Sequence, residues 1–247
     1  MSKLSRKWRR LRQSIREWAG ETYELDGSRF VLPPWADDIK RNIKRGHYEA
    51  PERRLVARWL KGDLPVVELG GAFGIVSGVV GARLGPGTPH VIVEANPVLV
   101  DYCRRNAIGT RGADAPVSVL HAAVAYGSDG VAAFMPSDAF LGSRLATAGE
   151  RGAISVPTVT LAALVAENRI GRFDLVCDIE GAELDILVHD AISLSQCRLA
   201  IIEVHPDVFA ARGTDEAGFV ALLIAAGFDI VDRDENVIVA VNRAMGA

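Results

Sequence analysis

Apolar residues within the first twenty positions fall at Leu4, Trp8, Leu11, Ile15 and Trp18. Their 4-3-4-3 spacing predicts one helix with a single apolar stripe. Lys3, Arg6, Lys7, Arg9, Arg10, Arg12 and Arg16 surround that stripe with positive charge. Residues 21–50 show no comparable period, and Pro33-Pro34 break any helix there, so irregular chain is expected. Leu55, Val56, Trp59 and Leu60 predict a second helix from Pro51 to Lys61, ended by Gly62.

Beyond Gly62 short Val/Ile runs alternate with helical periods. Strands are predicted at Pro65–Leu69, His90–Glu94, Val117–Leu120, Phe173–Ile179 and Arg198–Val204. Helices are predicted at Ile75–Leu84, Pro97–Asn106, Val159–Glu167, from Glu183 to His189, and at Phe219–Ala226. Residues 127–157 are less regular, with a small hairpin or lid around Val131–Phe134. Asp229–Val231 and Val237–Val241 form a closing hairpin across Asp232–Asn236. Strands separated by helices imply a mostly parallel sheet covered on both faces, and the last hairpin adds antiparallel strands. The fold class is α/β and Rossmann-like. Residues 1–62 form a basic helical extension or cap and residues 63–247 the catalytic-type domain.

Composition narrows the classes. The chain has 247 residues, 49% hydrophobic and 24% charged, an ordinary globular balance. Cys103, Cys177 and Cys197 form no C-x-x-C pair, so reduced, buried thiols are expected rather than a zinc or redox site. No run reaches membrane-spanning length and no secretory leader is visible, so a cytoplasmic protein is expected. Residues 1–62 carry 16 Lys/Arg against 8 Asp/Glu, whereas residues 63–247 carry 12 against 23. The leader helix can pack on the body, pair two subunits as a homodimer, or lie on a membrane surface. The acidic body argues against a nucleic-acid partner.

In parallel α/β sheets, ligands sit at the carboxyl ends of the strands. The first strand ends in Glu68-Leu69-Gly70-Gly71-Ala72-Phe73-Gly74, which is not the G-x-G-x-x-G dinucleotide pattern. Its glycines let backbone approach a bulky neutral or zwitterionic ligand, or simply make a tight turn. Glu94, in Glu94-Ala95-Asn96-Pro97, can accept both hydroxyls of a ribose or serve the following helix N-terminus. Ribose recognition without a pyrophosphate turn points to S-adenosylmethionine. Asp178, Glu180 and Glu183 follow the fourth strand; they can orient a substrate, hold a metal, act as a base, or cap a helix. His205, in Glu203-Val204-His205-Pro206, is a candidate general base.

These residues resemble the FkbM family of S-adenosylmethionine-dependent methyltransferases. The resemblance runs from about Gly46 to Val241. It rests on Gly46-His47-Tyr48-Glu49, Val66–Gly74, Val93–Pro97, Thr160-Leu161 followed by Phe173–Leu187, and Ile201–Pro206. The most specific pieces are Asp178-Ile179-Glu180-Gly181-Ala182-Glu183 and Glu203-Val204-His205-Pro206. The resemblance implies strand order 3-2-1-4-5-7-6 and methyl transfer, usually to a hydroxyl of a sugar, glycan or natural product. It implies that Glu68, Gly70, Gly71 and Gly74 shape the methionine side of the cofactor pocket. Glu94 and Ala95 then hold the ribose side, Asn96 lies beside the adenosine, and Tyr48 and Glu49 close the pocket. Asp178, Glu180, Glu203 and His205 face the acceptor. Two departures are Glu68, where many relatives carry Asp, and Gly71, where they carry Ala.

The expected reaction is displacement at the sulfonium methyl carbon, with His205 taking the acceptor proton, oriented by Asp178 or Glu203. Metal-free catalysis ranks ahead of a divalent ion, which Asp178 and Glu203 would hold. Two other readings stand. One is a non-catalytic cofactor-binding module in a complex. The other is a nicotinamide-dependent oxidoreductase, weakened because neither Tyr102 nor Tyr126 has a Lys four residues later. Residues 127–157 and 206–214 and the N-terminal segment are expected to bind the acceptor. Arg144, Arg151 and Arg212 would meet an anionic one or remain surface charge.

Overall fold

A computed structural model describes residues 20–127, 130–137, 143–147 and 149–246. The predicted leader helix lies outside the described residues, apart from its last position. The chain begins as a hairpin, β1 (Glu21–Leu25) and β2 (Ser28–Leu32), followed by α1 (Asp37–Lys44) and α2 (Ala50–Trp59). The alternating core is β3 (Val66–Leu69), α3 (Ile75–Arg83), β4 (His90–Glu94), α4 (Val100–Arg111) and β5 (Val117–His121). A small sheet follows, made of β6 (Ala123–Val124), β7 (Val131–Met135), β8 (Arg144–Leu145) and β9 (Ile154–Val159). The chain then returns to the main sheet through α5 (Leu161–Glu167), β10 (Phe173–Cys177), α6 (Glu183–His189), α7 (Ala191–Leu194) and β11 (Cys197–Glu203). It closes with α8 (Pro206–Ala211), α9 (Glu216–Ala225), β12 (Phe228–Asp234) and β13 (Val237–Asn242).

The main sheet has seven strands in the order β12-β13-β11-β10-β3-β4-β5. Counted from β3 and read from the other edge, this is the order that the resemblance implies. β3, β4, β5, β10 and β11 run parallel, while β13 is antiparallel to both β11 and β12. The central strands are apolar at nearly every position because both faces are covered. One face packs Val67, Leu69, Leu175 and Ile202 against α5, α6 and α9 through Leu164, Leu184 and Phe219. The other packs Val66, Val176 and Ile201 against α2 and α3 through Leu55, Val56, Val79 and Val80. Each such fully buried side chain contributes about 1.5–3 kcal/mol. All three cysteines are free and buried, as expected. Among the described residues no helix is long and apolar enough to cross a membrane.

The stretch expected to be irregular, residues 21–50, is ordered. Asp26-Gly27 turns the first hairpin with positive φ at both residues, 51° and 76°. This is the two-residue Asp-Gly signal of a tight hairpin. Phe30 and Leu32 of β2 and Ile39 and Ile43 of α1 share a core with Tyr48, Phe73, Ile75 and Leu99. Pro33-Pro34 end β2 rather than preventing structure. The helix expected over Val159–Glu167 starts at Leu161, because Ile154–Val159 alternates as a strand and Thr160 caps the helix, accepting Ala163 N–H at 3.1 Å.

Candidate active site

The turn after β3 carries left-handed backbone at Gly70 (φ 90°), Ala72 (φ 43°) and Gly74 (φ 77°). Its glycines serve packing inside the protein. A Cβ on Gly70 would lie 1.7 Å from Asp178 O, so β3 can meet the end of β10 only without a side chain there. A Cβ on Gly71 would meet Cys103 Sγ and Ile92 Cγ2 at 2.6 Å, and one on Gly74 would meet Cys103 O at 2.7 Å. Of the three, Gly70 alone lines the cleft. Glu68 is not on the cleft wall either. Fully buried, it accepts from Ser77 Oγ at 2.6 Å and lies 2.7 Å from His90 Nε2, a network beneath the turn.

Glu94, at the end of β4, is 6% exposed and does line the cleft. Its carboxylate accepts Ala72 N–H and Asn96 N–H, both at 2.6 Å, joining the two ligand-side turns. Burial pushes this carboxyl up to about 7, against the opposing pull of the backbone N–H groups of Asn96, Ala72 and Ala95. Ala95 lines the cleft, whereas the buried Asn96 side chain accepts Val98 N–H at 3.1 Å and shapes the turn. Tyr48 is buried in the N-terminal core, and its hydroxyl, beside Glu49, is raised well above its ordinary value by burial. Glu49 lines the cleft directly, at φ 45°. Burial and the neighbouring Glu52 raise its carboxyl well above the usual range.

A further group of acids lies around His205. Its Nε2 stands 3.5 Å from Asp178 Oδ1, 3.4 Å from Glu180 Oε2 and 4.0 Å from Glu203 Oε1. Its Nδ1 stands 3.3 Å from Glu183 Oε1. Glu183 is held in place by accepting Ile179 N–H at 2.9 Å, and Asn236 Nδ2 donates to Glu203. Burial lowers the imidazole's proton affinity, but the carboxylates of Glu183, Glu203 and Glu180 outweigh it and push the pKa up to about 9. Asp178 is raised well above the carboxylate range, by burial first and then by Glu203. Asp178 and Glu180 are on the cleft wall; His205 and Glu203 adjoin it. Glu180 adopts φ 55°, and Gly181 after it (φ 99°) admits Val208, whose Cγ1 would lie 2.2 Å from an added Cβ. A left-handed non-glycine residue costs of order 1–3 kcal/mol, and three of them, Glu49, Ala72 and Glu180, line this one cleft.

All four acceptor-facing residues named from the sequence are thus brought together. The structure adds Glu183, whose Oε1 is the acid oxygen nearest Nδ1, and Glu52, buried on α2 beside Glu203 with its carboxyl pushed up to about 8 by burial and by Glu203. Nothing in its helical Pro51-Glu52-Arg53-Arg54 context distinguishes Glu52 from a surface acid. The cleft is open to solvent, and the empty space within it, mouth included, is about 710 Å³. Phe134, Ser143, Arg144 and Leu145 of the small sheet form another wall. Arg144 is tied to Glu150 at 2.6 Å, and Arg212 to Asp185, so neither is a bare anion receptor.

Among solved structures the chain is similar to a magnesium protoporphyrin IX methyltransferase from Synechocystis PCC 6803 with bound S-adenosylhomocysteine. That similarity has 14% identity, covers 83% of this chain and 86% of the other, and has a TM-score of 0.50. An O-methyltransferase from Bacillus cereus, also with S-adenosylhomocysteine, shows 14% identity, coverage of 77% and 79%, and a TM-score of 0.46. The first of these likenesses concerns the fold alone. No curated protein sequence matches the chain. The model of the methyltransferase FkbM domain matches residues 68–230. That span runs from Glu68 through both cleft-lining turns to His205 and covers well over half of the chain, which therefore belongs to the FkbM methyltransferase domain family.

Proposed function

We propose that this S-adenosylmethionine-dependent methyltransferase methylates a hydroxyl oxygen of a neutral, polyhydroxylated acceptor such as a sugar, glycan or natural product. The observation that carries the reading is one cleft with two chemically distinct parts: Glu94 at the end of β4, and the Asp178–Glu180–His205 group at the ends of β10 and β11. Glu94 spends two lone pairs on backbone N–H groups and keeps others for a ribose diol. Glu49, Glu94, Asp178 and Glu180 line the cleft with carboxyl groups that can accept hydrogen bonds from the ammonium and hydroxyl groups of such ligands. When bound, S-adenosylmethionine supplies an electrophilic methyl group. The chain's own tasks are to hold the acceptor oxygen in line with that carbon and to take its proton. The His205 group is the proton-accepting end of the cleft. Family membership leaves the nicotinamide-dependent alternative without support.

Calorimetric titration of the full chain with S-adenosylhomocysteine and, in parallel, NAD tests the cofactor half. Binding of the first alone is expected; binding of NAD instead would reject the reading. Transfer of labelled methyl to a panel of sugars tests the acceptor half. His205→Ala is expected to keep S-adenosylhomocysteine binding and to lose transfer. Near-normal turnover in that variant would refute the role given to the His205 group. Cofactor binding with no transfer to any hydroxyl acceptor would favour a non-catalytic module.

A further inference from the structure

Six carboxylates crowd one side of the cleft: Glu49, Glu52, Asp178, Glu180, Glu183 and Glu203. Among the described ion pairs, Asp178, Glu183 and Glu203 meet no lysine or arginine, only His205. One ligand atom each from Asp178, Glu203 and His205 lies within 4.8 Å of the others. Metal–ligand bonds of about 2.0–2.2 Å place adjacent ligands about 3 Å apart and opposed ligands about 4.2 Å apart. The observed 3.5 Å and 4.0 Å separations from Nε2 lie between those two values.

Three further features point to a ligand rather than to a self-contained polar group. Glu52 is 5% exposed, its Oε2 has no hydrogen-bond partner, and its carboxylate faces that of Glu203. Asp178 Oδ1 is likewise buried without a hydrogen-bond partner. Glu183, 2% exposed, has its Oε1 beside Nδ1 of His205, which leaves Nε2 turned toward Asp178 and Glu203. A carboxylate on the far nitrogen is the usual support of a metal-ligating imidazole.

We infer that Asp178, Glu203 and His205 Nε2 bind one hard divalent cation of the Mg²⁺/Mn²⁺ class, with Glu183 as the positioning residue behind the imidazole and Glu52 supplying further negative charge. Three protein ligands leave coordination positions open toward the cleft. The inference rests on the reading of this end of the cleft as the acceptor end. There the cation makes a bound hydroxyl more acidic. Glu180, on the cleft wall and outside the ligand set, is the carboxylate placed to take the proton.

The test is titration of the chelator-stripped full chain with MnCl₂, followed by calorimetry and by the electron paramagnetic resonance of free Mn²⁺. S-adenosylhomocysteine binding is measured on the same samples. One ion per chain is expected. Glu203→Gln and Asp178→Asn should each weaken it at least tenfold, with circular dichroism and thermal melts verifying that both variants are folded. Glu183→Gln should weaken it by about 10–100-fold, as loss of a supporting carboxylate does. No Mn²⁺ binding by a wild-type chain that binds S-adenosylhomocysteine overturns the inference. Mn²⁺ binding that survives both ligand substitutions overturns it too. Failure of S-adenosylhomocysteine to bind the wild-type chain would instead refute the methyltransferase reading of the cleft.

Discussion

Cofactor affinity should depend on pH through one buried carboxyl. Glu94 is 6% exposed and burial pushes its pKa up to about 7, far from the ordinary 4.5. A ribose diol donates to the ionised form, so binding favours loss of the proton and affinity rises with pH. With a pKa near 7, about one molecule in eleven is ionised at pH 6 and about ten in eleven at pH 8. The dissociation constant of S-adenosylhomocysteine should therefore fall about tenfold between pH 6 and pH 8, worth about 1.4 kcal/mol. Glu94→Gln removes the titration. It also leaves one of the N–H groups of Ala72 and Asn96 facing an amide NH₂, which costs about 1–3 kcal/mol of stability. Calorimetry at pH 6, 7 and 8 on both proteins, with thermal melts to confirm that the variant is folded, measures the effect. A flat wild-type profile would refute the role of Glu94. So would an equal slope in the glutamine variant, since the titrating group would then lie elsewhere.

Three stability predictions follow from packing. Gly70→Ala should fail to fold or melt far below wild type, because its Cβ would lie 1.7 Å from the Asp178 carbonyl oxygen at a φ of 90°. Gly109→Ala, inside α4 with nothing within 4 Å of the new Cβ, should instead gain about 0.5–1 kcal/mol and raise Tm by about 2 °C. Arg198→Ala should cost about 3–5 kcal/mol in denaturant unfolding, because it strands the fully buried Asp174, which Arg198 holds at 2.6 Å. An Arg198→Ala loss below 1 kcal/mol would show that water reaches Asp174.

Much of this architecture was legible along the chain because buried parallel strands write themselves as unbroken apolar runs. The strand His90–Glu94 and the start of the helix at Glu183 are read from the sequence to the residue. Misreadings fell where the signal was short or local. The Asp26-Gly27 hairpin turn carries its own short signature, which Pro33-Pro34 outweigh in a reading by helical period, and Val159 reads as helix because its strand alternates with polar residues. Strand-end acids were likewise visible, since Asp178, Glu180, Glu203 and His205 interrupt apolar runs that have no packing use for them.

What each residue does was decided in three dimensions. The sequence alone determined that Glu68, Glu94, Asn96 and Tyr48 stand near strand ends or ahead of the first helix of the body. Only the tertiary structure turned Glu68 down toward Ser77 and His90, folded Asn96 into its own turn, buried Tyr48 in the hairpin core and left Glu94 on the wall. It also brought Glu52, 151 positions before Glu203, against that residue. The physical reason is that a strand-end position specifies which edge of the sheet a residue occupies. The direction of its side chain is set by backbone dihedrals and by neighbours far away in sequence. Charge–charge proximity, which makes the acid group able to hold a cation or a proton, exists only once those neighbours have met.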